Sequence, residues 1–265
     1  MNQLKTKSAL SYFGSDSEVA CELAAMLDHC KHVTIPFVGG ASILPHLKAR
    51  AIVANDLHRA ALNFYRHMSA PETRDELIRL CRATLSHPGE IEDAKAILGR
   101  NAGTTFEAWA FWALCWIGRK GKGGTKHQGG LPSVRRTASG GTNATRIRVA
   151  ARDLGIWAKE FERCEWESVD FRALLPKVAD RPDCGIYCDP PWVGAGRNYL
   201  HEFSEHDHYE LAAELHRFEA TTVLIRYGDA PLIRELYSAS EWNVIEASSR
   251  DQCNARKGEI WITNQ

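Results

Sequence analysis

The sequence predicts an α/β protein built on a parallel sheet with helical crossovers. Three observations carry this. Short β-branched runs alternate with stretches of helical period. The first two runs end in turn or capping residues, Gly39-Gly40 and Asn55-Asp56, each followed by a helical pattern. The alternation resumes late in the chain, with runs at 185–188 and 221–225. Strand, helix, strand, helix is the order that a crossover-connected parallel sheet requires.

Taken in order, residues 17–29 carry Val19, Ala20, Leu23, Met26 and Leu27 at helical spacing. The run 32–38 reads as a strand stopped by Gly39-Gly40, and 41–47 as a short helix. Residues 51–54 form a second buried strand and 57–68 a helix. From about Pro71 the pattern changes. Residues 72–85 and 107–116 read as helices, and 119–141, rich in Gly, Lys, Arg, Ser and Thr, as a long loop. Ile147, Ala150, Leu154, Trp157 and Phe161 mark a helix leading back to the core. Strands follow at 166–169 and 185–188. Ser204 and Asp207 read as a capping box opening a helix that carries Leu211, Leu215 and Phe218 on one face. After the strand at 221–225, residues 243–247 and 259–263 pair as a terminal hairpin.

Composition narrows the function classes. The chain has 265 residues, 44% of them apolar and 25% charged, which excludes a disordered chain, a collagen-like repeat or a disulfide miniprotein. No apolar run reaches membrane-span length, and no apolar segment follows the N-terminus as in a signal peptide. The eight cysteines form no CxxC pair and read as reduced thiols, which implies a cytoplasmic location. Net charge is +0, yet residues 119–152 hold nine Lys/Arg and no Asp or Glu. Attraction to phosphate is therefore local, and a solvated loop is the plain alternative.

Three places carry candidate chemistry. Gly39-Gly40 after the first strand permits close ligand approach beside a helix start, although a ligand-free tight turn has the same pattern. Asp56 ends the next strand, where a carboxylate is placed to accept hydrogen bonds from ribose hydroxyls or to cap the helix at 57–68. Asp189-Pro190-Pro191-Trp192 is the strongest signal. Its prolines donate no backbone hydrogen bond, so a carboxylate, a free carbonyl and an aromatic ring stand together at a strand end. That set suits a planar amine. Phe171 is either a pocket wall or a core residue. The cluster His201, Glu202, Glu205, His206 and His208 lacks metal-site spacing and reads as solvated surface, and Cys184 and Cys188 read as core thiols.

Together these residues resemble the Dam-like family of DNA N6-adenine methyltransferases, over most of the chain and in the family's order. Tyr12-Phe-Gly-Ser-Asp16 resembles the opening motif, with Ser15-Asp16 where the family has Gly-Lys. Pro36-Phe37-Val38-Gly39-Gly40, Asn55-Asp56, Asp170-Phe171 and Asp189-Pro190-Pro191-Trp192 match the later motifs, with Trp192 where Tyr is commoner.

The resemblance implies a Rossmann-like methyltransferase sheet with helices on both faces, plus a mainly helical, basic insertion. It implies a catalytic domain over 1–68 and 150–265 and a DNA-recognition insertion over 69–149. It implies S-adenosylmethionine (SAM) as methyl donor and no metal. Tyr12, Gly14, Pro36, Phe37, Gly39, Gly40, Asp56, Asp170, Phe171 and Asp189 would contact the donor. Asp189, Pro190, Pro191 and Trp192 would hold a flipped adenine. Arg119, Lys120, Lys122, Lys126, Arg135 and Arg136 would meet double-stranded DNA. The implied protein is a monomer or weak dimer without membrane contact, acting alone or beside a cognate restriction nuclease. Two alternatives stay open: an RNA adenine acceptor, and a non-catalytic DNA-binding relative. A nicotinamide-dependent dehydrogenase needs GxGxxG, and only Gly39-Gly40 is present.

Overall fold

The computed structural model describes residues 8–12, 17–118, 142–194, 200–250 and 256–265. In chain order its elements are α1 (Ala20–Ala25), β1 (His32–Ile35), β2 (Ala51–Asn55), α2 (Arg59–Ser69), α3 (Pro71–Ala83), α4 (Pro88–Leu98), α5 (Thr105–Ile117) and α6 (Asn143–Glu162). Then come β3 (Cys164–Glu167), α7 (Phe171–Leu174), β4 (Cys184–Cys188), α8 (Glu205–Leu215), β5 (Thr222–Gly228), α9 (Pro231–Leu236), β6 (Asn243–Arg250) and β7 (Arg256–Thr263). They belong to two compact units. One comprises Met1–Ala20, Gly39–Pro45 and His58–Cys164, and the other Cys21–Val38, His46–Leu57 and Glu165–Gln265.

The sheet has the order β3-β2-β1-β4-β5-β7-β6. Strands β1, β2, β4 and β5 are parallel, with Val33 opposite both Ile52 and Gly185, and Ile186 opposite Val223. The antiparallel β7 lies between β5 and β6. This is a seven-stranded α/β sheet with a parallel centre and an antiparallel end. Every residue of β4 is buried. Such unbroken burial is what a parallel sheet covered on both faces demands. On one face Ile186, Cys188, Val223, Ile225, Tyr227, Ile260 and Ile262 pack with Leu211 and Leu215 of α8 and Ile233 of α9. On the other, Gly185 lies beneath Leu27 and Cys30, which follow α1; a Cβ there would stand 2.8 Å from Cys30 Sγ. Chain direction diverges between β1 and β4, the switch point at whose carboxyl edge such sheets bind ligands.

The helical unit is organised by α5. All but two of its residues are buried, so it is apolar on every side, and α2, α3, α4 and α6 all pack against it. A capping box of Thr104 and Glu107 starts it. Trp109 Nε1 donates to Thr84 Oγ1 at 2.8 Å, which pairs a buried indole donor.

The elements differ from expectation in instructive ways. The strand expected over 32–38 stops at Ile35, because Pro36 has no N–H to continue the ladder. Residues 41–47 contain only a short 3-10 turn at Leu44–His46. Helix α4 lies between the two helices expected at 72–85 and 107–116, where the sequence reading placed no element; Pro88 occupies its first turn, where its missing donor costs nothing. The capping box at Ser204 and Asp207 opens α8 as expected. No helix among the described residues is long and apolar enough to cross a membrane.

His208 corrects the reading of its cluster as solvated surface. His206 is exposed and faces Glu210 at 3.5 Å. His208, one turn into α8, is only 2% exposed and bonds Tyr227 Oη at 2.9 Å. Its offsets of three and four from Leu211 and Ala212 put it on the core face. Burial pulls its pKa down to about 4, against a smaller opposing pull from Asp207. An unfolded chain therefore binds a proton that the folded chain refuses between pH ~6.5 and ~4. Stability is full above that window and falls by up to ~3 kcal/mol as pH drops through it. Urea unfolding at pH 7.5 and 4.5 is expected to show a smaller loss for His208→Gln than for the parent; equal losses would exclude His208 as the source.

Candidate functional site

The carboxyl edge of the sheet gathers three groups of side chains within the sheet unit. The first is built by Asn55, the last residue of β2, which is 1% exposed. Its Nδ2 donates to the Pro36 and Val169 carbonyls, each at 2.9 Å, and its Oδ1 accepts from Val169 N at 2.9 Å. A buried amide gains most when every group is paired, so Asn55 ties together the two segments that leave β1 and β3. Asp56, half-buried, follows it.

The second group hangs from those segments. Phe37 and Phe171 have ring centroids 5.8 Å apart, and Phe203 lies 5.7 Å from Phe37 and 5.9 Å from Phe171. His208 stands edge-on to Phe203 at 4.8 Å, backing the trio from the core side. Asp170 caps α7 by accepting from Arg172 N at 2.9 Å. The same carboxylate pairs with the Arg172 guanidinium, which also bonds Asp207 and Glu210 of α8 and sits 4.4 Å over the Phe171 ring. Burial pulls the Arg172 pKa down, but these three carboxylates override it and raise the group above its ordinary value.

The third group follows β4. Asp189 is 16% exposed, Pro190 is buried, and Pro191 and Trp192 are half-buried. Asp189 Oδ2 accepts from Arg226 Nη1 at 3.0 Å. Arg226, on β5 and 5% exposed, also donates from Nε and Nη2 to the two carboxylate oxygens of Glu259, both at 2.9 Å. Burial acts against the Arg226 charge, but Asp189 and Glu259 hold its pKa well above the ordinary value. The Trp192 ring lies 5.1 Å from the Arg226 guanidinium carbon. It also closes on Gly228, where an added Cβ would stand 2.5 Å from the indole. Only glycine leaves room for that ring.

Asp56 and Asp189 each directly follow strands β2 and β4 of one sheet, which flank β1 and lie roughly 10 Å apart by strand spacing. Both open from the same edge. The edge thus gathers three aromatic rings, of which Phe171 is buried, a carboxylate after β2 and a carboxylate at the Pro-Pro turn. Among the described residues no group of three His, Cys, Asp or Glu side chains stands ready for a metal ion.

The remaining expected donor contacts belong to the helical unit. Gly39 has φ +49°, and its carbonyl accepts from Tyr65 Oη. Gly40 O accepts from Ser8 Oγ at 2.9 Å. Ala41, at φ +58° and 1% exposed, holds a left-handed conformation that favours glycine, so the turn stores strain. The Tyr12 ring is 3.6 Å from where a Gly39 Cβ would stand, and its hydroxyl meets His58 Nδ1 at 3.2 Å. Gly14 lies outside the described residues, as do Arg119, Lys120, Lys122, Lys126, Arg135 and Arg136.

Sequence reasoning missed Arg226, Glu259, Gly228 and Tyr65. The first two had a signal. An Arg within Thr-Val-Leu-Ile-Arg-Tyr-Gly and a Glu opening Glu-Ile-Trp-Ile-Thr are charges inside apolar strands, and buried charges need partners.

No protein-family model matches the chain, and none of the curated proteins matches it. Among the solved structures similar to it is a magnesium protoporphyrin IX methyltransferase from Synechocystis PCC 6803 with bound SAM. That match is 8% identical with a TM-score of 0.38, over 94% of this chain and 77% of that one.

Gly228→Ala is expected to cost ~1–3 kcal/mol through overpacking against Trp192. In a Trp192→Phe background the same change should cost less, and a double-mutant cycle by denaturant unfolding measures the difference. Additive losses would show that the indole does not rest on Gly228.

Proposed function

We propose that this chain is a SAM-dependent methyltransferase of the Dam-like family, acting on the exocyclic N6 amine of adenine in double-stranded DNA. The observation that carries the reading is Asp189-Pro190-Pro191-Trp192 at the carboxyl end of β4, at the switch point of a methyltransferase-type sheet and sharing its edge with Asp56. The aromatic trio supports a purine-bearing donor, and Asp56 supports its ribose hydroxyls. The Asp189 carboxylate and the Pro190 carbonyl supply two acceptors for the two protons of an amine.

The chemistry follows from those roles. Adenine's amine is a poor nucleophile because its lone pair is delocalised into the ring. Acceptors on both N–H groups favour a pyramidal nitrogen with a localised pair. That nitrogen attacks the methyl carbon in line; the new N–C bond forms as the C–S bond breaks, and the bonding pair stays on sulfur as a neutral thioether. The surplus proton on nitrogen then leaves to water. Positioning and charge placement provide the catalysis. Trp192 supplies a ring against which an unstacked base can lie.

DNA as acceptor is supported by the basic run. Its described part is the first half of α6, where Arg146, Arg148 and Arg152 are exposed and no acidic residue occurs before Asp153. Arg148→Ala is expected to weaken duplex binding and reduce the salt slope by about one counterion. An unchanged slope, measured between 50 and 200 mM salt, would turn α6 away from the duplex.

Labelled SAM with duplex DNA or with RNA, followed by digestion to nucleosides, tests the main reading. Label in N6-methyldeoxyadenosine is expected. Label from RNA alone would move the acceptor to RNA, and DNA binding without SAM binding would leave a non-catalytic relative. Asp189→Ala is expected to abolish transfer while SAM affinity by calorimetry stays within about tenfold; turnover at the parent rate would remove Asp189 from the mechanism.

A further inference from the structure

We infer that Arg226 is a positioning residue for this amine site, holding Asp189 and Trp192 in one arrangement while Glu259 holds Arg226. The inference rests on the methyl-transfer reading and names the part of the chain that aligns the acceptor.

The argument begins with burial. Arg226 is 5% exposed and Glu259 1%. An unpaired guanidinium there would be an uncompensated buried ion and strongly destabilising. Glu259 meets it with two parallel bonds of 2.9 Å, and that fork sets the plane of the guanidinium as well as its position. Glu259 is itself anchored by Trp261, whose Nε1 donates to it at 2.8 Å. With the plane set, Nη1 faces Asp189 Oδ2 at 3.0 Å. The guanidinium also lies 5.1 Å from the Trp192 ring, within cation–π range, and Gly228 bounds the same indole.

One side chain therefore contacts two members of a four-residue motif. Arg226 stands on β5 and Glu259 on the adjacent β7, so their spacing is inherited from the ladder, while Asp189 directly follows β4, the strand on the other side of β5. The Asp189 oxygen that bonds Arg226 has its direction set by that bond, so Arg226 fixes the orientation of the carboxylate. Lysine would supply the charge but neither the fork nor the plane.

Arg226→Met alone would leave two buried carboxylates unneutralised and is expected to unfold. The test therefore uses Arg226→Met with Glu259→Gln, which removes both charges while the amide introduced by the second change keeps an acceptor for Trp261. Three quantities are measured: SAM affinity by calorimetry, kcat and KM on duplex DNA, and acrylamide quenching of Trp192, read as the difference from the matching Trp192→Phe protein. In the paired variant kcat is expected to fall roughly 100-fold with SAM affinity retained, and Trp192 to lose its shielding. Arg226→Lys is expected to stay folded yet remain well below the parent in kcat, whereas a purely structural charge would be served by lysine. Transfer at the parent rate in the paired variant, or full rescue by Arg226→Lys, overturns the inference. A parent protein that neither binds SAM nor transfers methyl groups overturns the underlying reading; the quenching comparison separates the two failures, because it needs neither donor nor acceptor.

Discussion

A guanidinium buried in a sheet must be neutralised where it stands, and much of this sheet's carboxyl edge is arranged around meeting that demand for Arg226. The insertion of β7 between β5 and β6 brings Glu259 opposite Gly228, two residues from Arg226 on the neighbouring strand. Asp189 answers from the other side, one residue beyond the last β4 position paired with β5. Gly228 must lack a side chain because Trp192 closes over that place. A register shift of one residue in β5 or β7 would turn Arg226 or Glu259 to the opposite face and leave the other charge buried alone. The ion pair thus selects one alignment of the antiparallel end of the sheet, and that alignment brings the Asp-Pro-Pro-Trp turn to its observed form.

Asn55 exerts a similar constraint with a neutral group. Its amide spends its hydrogen-bonding capacity on Pro36 and Val169, the residues immediately before Phe37 and Asp170-Phe171. The segments that carry the aromatic trio are therefore held through backbone groups, while Phe171 itself is buried in the core and Phe37 and Phe203 pack partly buried against it. Arg172 extends the arrangement by tying Asp170 to Asp207 and Glu210 of α8. His208, buried and uncharged at neutral pH, backs Phe203 without adding a charge.

How much of this was legible in the sequence depended on range. Local signals read correctly: the β-branched runs of β1, β2 and β4, the capping box of α8 and the hairpin of β6 with β7 each depend on residues close in the chain. The position of β7 beside β5 depends on pairing across more than thirty residues, and no local pattern encodes it. The partners of Asn55 could not be read from the sequence, because a side chain's hydrogen-bond partners belong to the fold. His208 looked like one member of a surface cluster, because the helical face that buries it is set by where α8 packs. The Arg226 and Glu259 charges were visible as anomalies in apolar strands, but pairing them required the register.

Under the methyl-transfer reading, the same ion pair decides what Asp189 can do. Asp189, Arg226 and Glu259 together carry one net negative charge, beside a reaction in which the acceptor nitrogen becomes cationic as its bond to carbon forms. The reactants already carry the sulfonium's positive charge; as that charge moves from sulfur to nitrogen, a net negative charge nearer the nitrogen favours the transition state, which is the differential that lowers a barrier. Asp189 is nonetheless a poor resting place for the surplus proton. Protonating it would forfeit its attraction to Arg226 in a half-buried setting where Coulomb energies exceed those in water. Water is the better acceptor, and deprotonation then follows transfer instead of accompanying it. On this reading the carboxylate aligns the amine by accepting its hydrogen bond, and a group that need not take the proton suffices for an amine whose nucleophilicity is raised by geometry.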